Sequence, residues 1–155
     1  YHLLEAEQSV RVGDTEVHAV LGNHGIDKLE HMILEKPCLN YVFERDGRTV
    51  FYGLDSSYTL PRTLEYLSRF CLDAAVLDAT FGQWPIDSVK SGHHNLEMLT
   101  ETIAEFRQAG IVDDSTKLVA SHIALAQVLP HDDLVGEFER EGLTLAYDGM
   151  DIDVG

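Results

Sequence analysis

Four short apolar stretches of this chain are each followed closely by a lone histidine or aspartate, and this arrangement constrains the fold more than any other feature. The four residues are His24 after EVHAVLGN, Asp55 after RTVFYGL, Asp78 after DAAVL and His122 after KLVAS. Side chains at strand ends project into the loops above a sheet, where the ligand sites of α/β proteins collect. We therefore expect these residues to converge on one site.

The size and apolar content of the chain fit one globular domain. Its 155 residues suffice for a single hydrophobic core, and 45% of them are hydrophobic. No apolar run approaches the roughly 20 residues that span a bilayer, and we expect neither a membrane segment nor a signal peptide. Cys38 and Cys71 lie far apart without a CxxC motif, so we expect two reduced, buried thiols and a cytoplasmic location.

The charge of the chain limits its partners. With 27 acidic and 11 basic residues, the formal net charge is -16. Such a surface repels nucleic-acid backbones and anionic membranes, so we expect neither a long nucleic acid nor a membrane as a partner. A small anion can still bind where metal ions reverse the local charge.

Turn signals divide the first part of the chain into two hairpins. SVRVGDTEVHAVLG alternates apolar and polar residues on both sides of Gly13-Asp14, which predicts two short strands. CLNYVFE and RTVFYGL flank Asp46-Gly47, a pair that tolerates the positive φ angles of a tight turn. We therefore expect antiparallel pairing in this part of the chain.

Helical and strand-like segments alternate in the rest of the chain. TLPRTLEYLSRF predicts a helix with Pro61 in its first turn, and NLEMLTETIAEFRQAG predicts one that begins after Asn95 and ends at Gly110. DLVGEFERE predicts a third helix, stopped by Gly142. DAAVLDA, KLVAS and LTLAY are typical of strands, and DIDVG predicts a final edge strand. The sequence thus predicts an α/β layered fold with a mixed sheet and flanking helices.

Imidazole and carboxylate side chains at three strand ends are the candidate metal ligands. His24, Asp55 and His122 each follow a predicted strand, and such groups are the usual ligands of zinc, manganese and iron in hydrolases. Any one of them alone is more simply explained as a hydrogen-bonded structural residue. Taken together, they favour a shared metal site.

A histidine pair, His93 and His94, precedes the strongest predicted helix. The positive end of the helix dipole favours contact with anions there, and the alternative is a capping loop with exposed imidazoles. We interpret Asp78 as an acceptor behind a metal-bound histidine, with a ligand or a turn residue as alternatives. Asp148 is a second candidate supporting residue, although a turn before the last strand explains it more simply. We expect the remaining histidines to be surface residues: His2, His18, His31 and His131.

Several segments, in order along the chain, resemble the C-terminal half of the metallo-β-lactamase fold superfamily. They are LGNHG, FYGLDSSYTLPRTLEYL, AAVLDATF, HHNLEML, KLVASHIA and LAYDGMDIDV. The resemblance is strongest to a phosphodiesterase branch, the phosphoribosyl cyclic phosphate phosphodiesterases of phosphonate catabolism. It implies half of a four-layer αββα sandwich, with residues 1–155 as the C-terminal portion of one domain.

The resemblance also implies roles for the candidate residues. His24 is similar to the third-motif histidine of the superfamily, Asp55 to the aspartate that bridges two metal ions, and His122 to the last metal-binding histidine. His93 is similar to the histidine that protonates the leaving group in the phosphodiesterase branch, with His94 as the alternative if the register differs by one. The implied cofactors are two divalent transition-metal ions, zinc or manganese with iron as a further option. The implied substrate is a small phosphodiester, for example a cyclic one.

One motif of the superfamily, HxHxDH, does not occur in residues 1–155. Because this motif supplies the first ligands of both metal ions, the resemblance implies that an N-terminal half of the same fold supplies them from outside the chain. Half a layered sandwich would expose an apolar sheet face, so we expect that half or a second copy to cover it. Two other functions are alternatives: another hydrolase of the superfamily, acting on thioesters, lactones or β-lactams, and a non-catalytic half-domain for binding or assembly.

Overall fold

The computed structural model describes residues 3–24, 38–86, 92–124 and 128–155, so the expectations for His2 and His31 lie outside the described residues. Within these ranges the chain forms seven strands and three helices. They are β1 (Ser9–Val12), β2 (Thr15–Leu21), β3 (Leu39–Arg45), β4 (Arg48–Gly53), α1 (Pro61–Leu67), β5 (Ala74–Asp78), α2 (Leu96–Gln108), β6 (Lys117–Ser121), α3 (His131–Arg140) and β7 (Thr144–Leu145). Among the described residues, no helix is both long enough and apolar enough to cross a membrane.

The seven strands lie in one sheet in the order in which they occur along the chain. The first four pair antiparallel, whereas β4, β5, β6 and β7 run parallel to one another. Parallel neighbours need crossover connections, and the described part of each of the three connections contains one helix. The predicted α/β fold with a mixed sheet is therefore confirmed.

The β3–β4 hairpin has the two-residue turn that the sequence predicts. Asp46 and Gly47 both have positive φ angles, of 52° and 76°, as a type I′ turn requires. This turn sets the register that places Phe51 opposite Val42, and both side chains are buried. A slip of one residue would turn the apolar side chains of a strand to its other face, so the turn also selects the core face of the sheet.

The hydrophobic core lies between the sheet and the helices. Asn95 caps α2 by accepting a backbone N–H from the first turn at 2.9 Å, as predicted. Leu99 and Phe106 of α2 are buried in this core, and the Phe106 ring meets Phe51 of β4 edge to face with 6.2 Å between centroids. Burying one such side chain contributes about 1.5–3 kcal/mol, and these contacts hold α2 against the middle of the sheet.

The face of the sheet opposite the core carries aromatic side chains. Because side chains alternate along a strand, Tyr52 points away from the core that Phe51 enters, and 44% of its surface is exposed. Tyr41 pairs with Tyr52 across the hairpin, and its ring lies 6.2 Å from that of Phe43. The described helices pack against the other side of the sheet.

The end of the chain differs from the expectation. Only Thr144 and Leu145 of the predicted strand LTLAY pair with β6, and DIDVG forms no strand. Residues 151–154 alternate between exposed and half-buried, as the residues of an edge strand do. Alternation alone does not supply a ladder partner, and this prediction was wrong.

Two expectations about burial were also wrong. Both cysteines are free, but Cys71 is exposed and Cys38 is half-buried. His18 is not a surface residue, since only 13% of its side chain is exposed. Its Nε2 lies 2.6 Å from a carboxylate oxygen of Glu44, and its ring packs edge-on against Phe70. The strand pairing explains this burial, because β3 places Glu44 within reach of β2.

Candidate metal centre

Three parallel strands end at one edge of the sheet, and each brings a predicted site residue there. Asp78 is the last residue of β5 and pairs with Ser121, the last residue of β6, so His122 follows at the same edge. Asp55 lies two residues beyond the end of β4, and His93 lies three residues before α2. Donor atoms of Asp55, Asp78, His93 and His122 all lie within 4.8 Å of one another. We call these four residues the donor cluster.

The buried carboxylate of Asp78 connects the members of the donor cluster. Its Oδ1 accepts the backbone N–H groups of Thr80 and His94, each at 3.0 Å. Its Oδ2 accepts the backbone N–H of Asp55 at 3.0 Å and lies 2.9 Å from Nδ1 of His93. Because a carboxylate with no exposed surface is stable only with such partners, these bonds fix Asp78 and the groups around it.

The two imidazoles of the donor cluster are anchored through the same hydroxyl group. Thr80 Oγ1 lies 2.7 Å from Nδ1 of His122 and 3.1 Å from Nδ1 of His93. The two rings stack with their centroids 5.5 Å apart. Nε2 of His122 then faces Asp55, 3.5 Å from its Oδ1. A ring with one nitrogen held by the protein and the other beside a carboxylate has the arrangement of a metal-binding histidine.

Two residues of the donor cluster have a left-handed backbone. The φ angle is 49° at Asp55 and 68° at His122. This conformation costs a non-glycine residue roughly 1–2 kcal/mol, so the surrounding contacts must hold it. Backbone strain of this kind concentrates at functional sites.

Two buried amide side chains hold the loop that carries Asp55. Asn23 accepts the backbone N–H of Ser57 and donates to its hydroxyl, both at 2.8 Å. Asn40 donates to the hydroxyl of Ser56 at 2.8 Å. Both amides are almost fully buried, and such satisfied polar networks specify one arrangement of the groups they join.

His24 lies beside the donor cluster rather than within it. Its ring centroid is 4.9 Å from that of His93, and its Nδ1 is 3.4 Å from the backbone oxygen of Gly92. Gly92 has a φ of 66°, and a Cβ atom at this position would lie only 2.6 Å from Nδ1 of His24. A side chain at position 92 would therefore force the His24 ring or the local backbone to shift.

His94 and Asp148 are not among the four residues of the donor cluster. His94 is 3% exposed, and its Nε2 lies 2.9 Å from the hydroxyl of Thr102. Burial lowers the pKa of His94 to about 4, against a smaller raising effect of the Asp78 charge, so its ring is neutral at pH 7. Asp148 is exposed and lines a separate cleft beside His122.

The thiol of Cys38 lies close behind Asp55, whose backbone oxygen accepts its S–H across 3.7 Å. Burial, and then the charges of Asp55 and Asp78, raise the pKa of this thiol above its ordinary value. Because thiols bind metal ions as thiolates, Cys38 is poorly suited to be a ligand. The donors that the structure brings together here are imidazole and carboxylate groups, which suit zinc, manganese and iron.

Sequence reasoning missed three residues that organise this site: Thr80, Gly92 and Asn23. Thr80 had a local signal, since a hydroxyl two positions after a strand-end aspartate can bond to it. Asn23 had a weaker one, a polar residue directly after an apolar strand. Gly92 had none, because its role depends on contact with a residue 68 positions away.

Comparison with solved structures identifies the fold. The chain is similar to a diphosphatase of the PhnP family, with 21% identity and a TM-score of 0.65 over 96% of this chain and 46% of that chain. It is similar to the metallo-β-lactamase fold protein YhfI from Bacillus subtilis, with 16% identity and a TM-score of 0.61 over 95% of this chain and 53% of that chain. It is also similar to Zn(2+)-bound PqqB from Methylobacterium extorquens, with 18% identity and a TM-score of 0.60 over 97% of this chain and 54% of that chain.

The chain spans about half the length of these solved structures. No protein-family model matches the sequence, and no curated protein matches it. The likeness is therefore one of three-dimensional structure. The chain has the metallo-β-lactamase fold.

Proposed function

We propose that this chain forms part of the metal centre of a hydrolase that acts on small phosphodiesters. The observation that carries the proposal is the convergence of the donor cluster, in which residues from three strand ends and one helix start meet within 4.8 Å. Imidazole and carboxylate groups are far apart in the sequence, and a metal site explains why they meet at the edge where α/β folds bind ligands. The fold, which a zinc-bound protein shares, is consistent with this function.

His24, Asp55 and His122 are the proposed metal ligands, with Asp55 between two divalent ions. Asp55 is half-buried and His122 is exposed, so ions can reach both from solvent. Asp78 is fully buried and accepts hydrogen bonds at both oxygens, which suits a residue that orients ligands rather than binds an ion itself. When bound, divalent zinc, manganese or iron lowers the pKa of a bound water from 15.7 to about 7 and polarises a phosphoryl oxygen.

His93 is the proposed proton donor to the leaving group. Its Nδ1 lies 2.9 Å from the Asp78 carboxylate, which holds the ring in place. A proton on Nε2 can then pass to the departing alkoxide oxygen, after which the neutral ring takes up a proton from solvent. His94, the alternative donor, is buried and neutral at pH 7, so it does not suit this role.

The remaining ligands are proposed to come from an N-terminal half of the same fold. The open face of the sheet supports this, since it carries Tyr41, Phe43 and Tyr52 on the side away from the helices. An apolar face of this kind is usually covered by another layer, and a second copy of the chain is the other candidate. The net charge of -16 favours a small substrate over a long nucleic acid.

Metal analysis of the protein that carries this chain tests the proposal. Asp55→Ala should remove one or both ions, whereas His93→Ala should keep the metal content and lower turnover of bis(p-nitrophenyl) phosphate by about 10²–10⁴-fold. Unchanged metal content in Asp55→Ala would refute the ligand role, and metal loss in His93→Ala would make His93 a ligand. Faster turnover of a lactone than of the phosphodiester would favour another hydrolase of this fold.

A further inference from the structure

A cleft of about 590 Å³ opens directly beside the donor cluster. His122 forms part of its wall, together with Leu54, the residue before Asp55. Sites for small molecules typically have volumes of about 300–1,000 Å³ and a mainly apolar lining. The position of the cleft means that a molecule reacting next to Asp55 and His122 can extend into it.

Two aromatic side chains line the cleft: Tyr147, and Tyr52 on the sheet face that the N-terminal half is proposed to cover. Tyr52 is 44% exposed and Tyr147 is 62% exposed. The Tyr147 ring meets the ring of His131 edge to face, with 6.2 Å between centroids, which limits its freedom. Leu129 and Ile123 add apolar surface to the lining. Aromatic walls of this kind favour a planar group that can pack against a ring.

The charge of the cleft restricts what can enter it. Among the described residues that line it, Asp148 is the one with a carboxylate side chain, and there is no lysine or arginine. Asp132, next to His131, is a fully exposed carboxylate outside the lining. A second phosphate group in the cleft would meet the Asp148 carboxylate without a lysine or arginine to pair with it, at a cost in binding free energy.

We propose that this cleft binds an uncharged planar group of the phosphodiester, an aryl ring or a nucleobase. The inference rests on the proposed function, and it makes that function more specific. A phosphodiester with one uncharged planar substituent fits the cleft, whereas a phosphorylated ribose, as the resemblance to phosphoribosyl cyclic phosphate phosphodiesterases implies, does not. Tyr147 is the residue that holds the planar group, and Asp148 is the residue that excludes a second phosphate.

Binding measurements on the Mn²⁺-loaded protein test this inference without depending on turnover. The probes are thymidine, thymidine 5′-monophosphate and thymidine 3′,5′-bisphosphate, and calorimetry or ligand-observed NMR gives each dissociation constant. The bisphosphate should bind at least tenfold more weakly than the monophosphate, and Asp148→Lys should remove most of that difference. A bisphosphate that binds as tightly as the monophosphate would overturn the inference.

Variants of two exposed aromatic residues distinguish binding in the cleft from binding elsewhere on the surface. Tyr147→Ala should weaken binding of thymidine and of its monophosphate about tenfold, while inorganic phosphate binds as before. Trp84→Ala is the matched control, since Trp84 is 55% exposed but does not line the cleft. This variant should bind thymidine and its monophosphate as tightly as wild type. If the protein binds no Mn²⁺, the proposed function fails, and Tyr147-dependent binding of thymidine still decides the inference. Equal binding of thymidine by wild type and Tyr147→Ala would refute it.

Discussion

The backbone N–H of Asp55 donates to the buried carboxylate of Asp78 across 3.0 Å. Asp78, the last residue of β5, thereby positions Asp55, which lies just beyond the end of the neighbouring strand β4. The same carboxylate lies 2.9 Å from His93 and 3.3 Å from His122. Asp78 thereby links the backbone of one proposed ligand to the side chain of another. The arrangement of the donor cluster should therefore depend on the charge of Asp78, a residue that solvent does not reach.

Asp78→Asn should weaken metal binding while leaving most of the fold intact. The amide has nearly the shape of the carboxylate, but it is neutral and presents an NH₂ group to partners that are themselves donors. Residues that hydrogen-bond to metal ligands and orient them typically contribute about 10–100-fold to metal affinity, and we expect a loss in that range. Calorimetric titration with Mn²⁺ and Zn²⁺ measures it.

Asp73→Asn is the matched control, because Asp73 immediately precedes β5 and Asp78 ends it. The same change of side chain is thus made at the two ends of one strand. Asp73→Asn should reduce stability without changing metal affinity. An equal loss of affinity in both variants would mean that the effect is general destabilisation, contrary to the prediction.

Asp73 should also make stability depend on pH in the acid range. Its carboxylate accepts the backbone N–H of Thr49 at 2.8 Å and a bond from Arg48 at 2.7 Å, and these two contacts lower its pKa below 3.8, the Thr49 bond most. Since the folded-state pKa is the lower one, the ionised group stabilises the fold above pH 3.8, and this contribution is lost as pH falls through the folded-state pKa. Urea unfolding should show a gap between wild type and Asp73→Asn at about pH 7 that narrows at about pH 3. A gap of constant size would contradict the linkage.

The parts of this structure that the sequence predicted are those with a local cause. Asp46-Gly47 closes a hairpin because its own φ angles allow a type I′ turn, and Asn95 caps α2 through an N–H three residues away. The convergence of Asp78 and His122 followed from a general rule, since parallel strands that pair side by side end at the same edge.

The parts that the sequence did not predict depend on contacts between distant segments. Thr80 joins the two imidazoles only because β6 brings His122, 42 residues further on, next to it. Asp148 and His122 line the same cleft although they are distant in the sequence, because β6 and β7 pair side by side. Neither fact follows from local spacing or periodicity.

Gly92→Ala should disturb the proposed ligand His24. A Cβ atom would lie 2.6 Å from its Nδ1, and the φ of 66° is itself unfavourable for alanine. We expect an unfolding free energy lower by about 1–2 kcal/mol from the backbone alone, together with weaker metal binding from the displaced ring. Gly110→Ala is the control, because its φ of 71° carries the same strain but nothing lies within 4 Å of the added atom. Chemical denaturation of both variants measures the backbone strain, and Mn²⁺ titration measures the displacement of His24. Equal metal affinity of Gly92→Ala and Gly110→Ala would argue against the His24 contact.

Asn23→Ala should weaken metal binding through the loop that carries Asp55. The variant removes the two 2.8 Å hydrogen bonds that join Asn23 to the backbone N–H and the hydroxyl of buried Ser57, and one such bond contributes about 0.5–1.5 kcal/mol to stability. The strained φ of Asp55 should then relax, since fewer bonds hold the residues that follow it. The expected result is a lower unfolding free energy together with a reduced affinity for Mn²⁺.

Thr116→Val provides the comparison for Asn23→Ala, because it also removes two hydrogen bonds of one side chain. The Thr116 hydroxyl donates to the backbone oxygen of Leu72 and accepts the backbone N–H of Asp113, at the opposite end of the strands from the donor cluster. It should lower stability while Mn²⁺ affinity stays at the wild-type value. Asn23→Asp adds a second test, since it restores an acceptor for the Ser57 N–H and should recover part of the affinity. If Asn23→Ala loses stability but binds Mn²⁺ as tightly as wild type, then the amide only supports the fold and does not position Asp55.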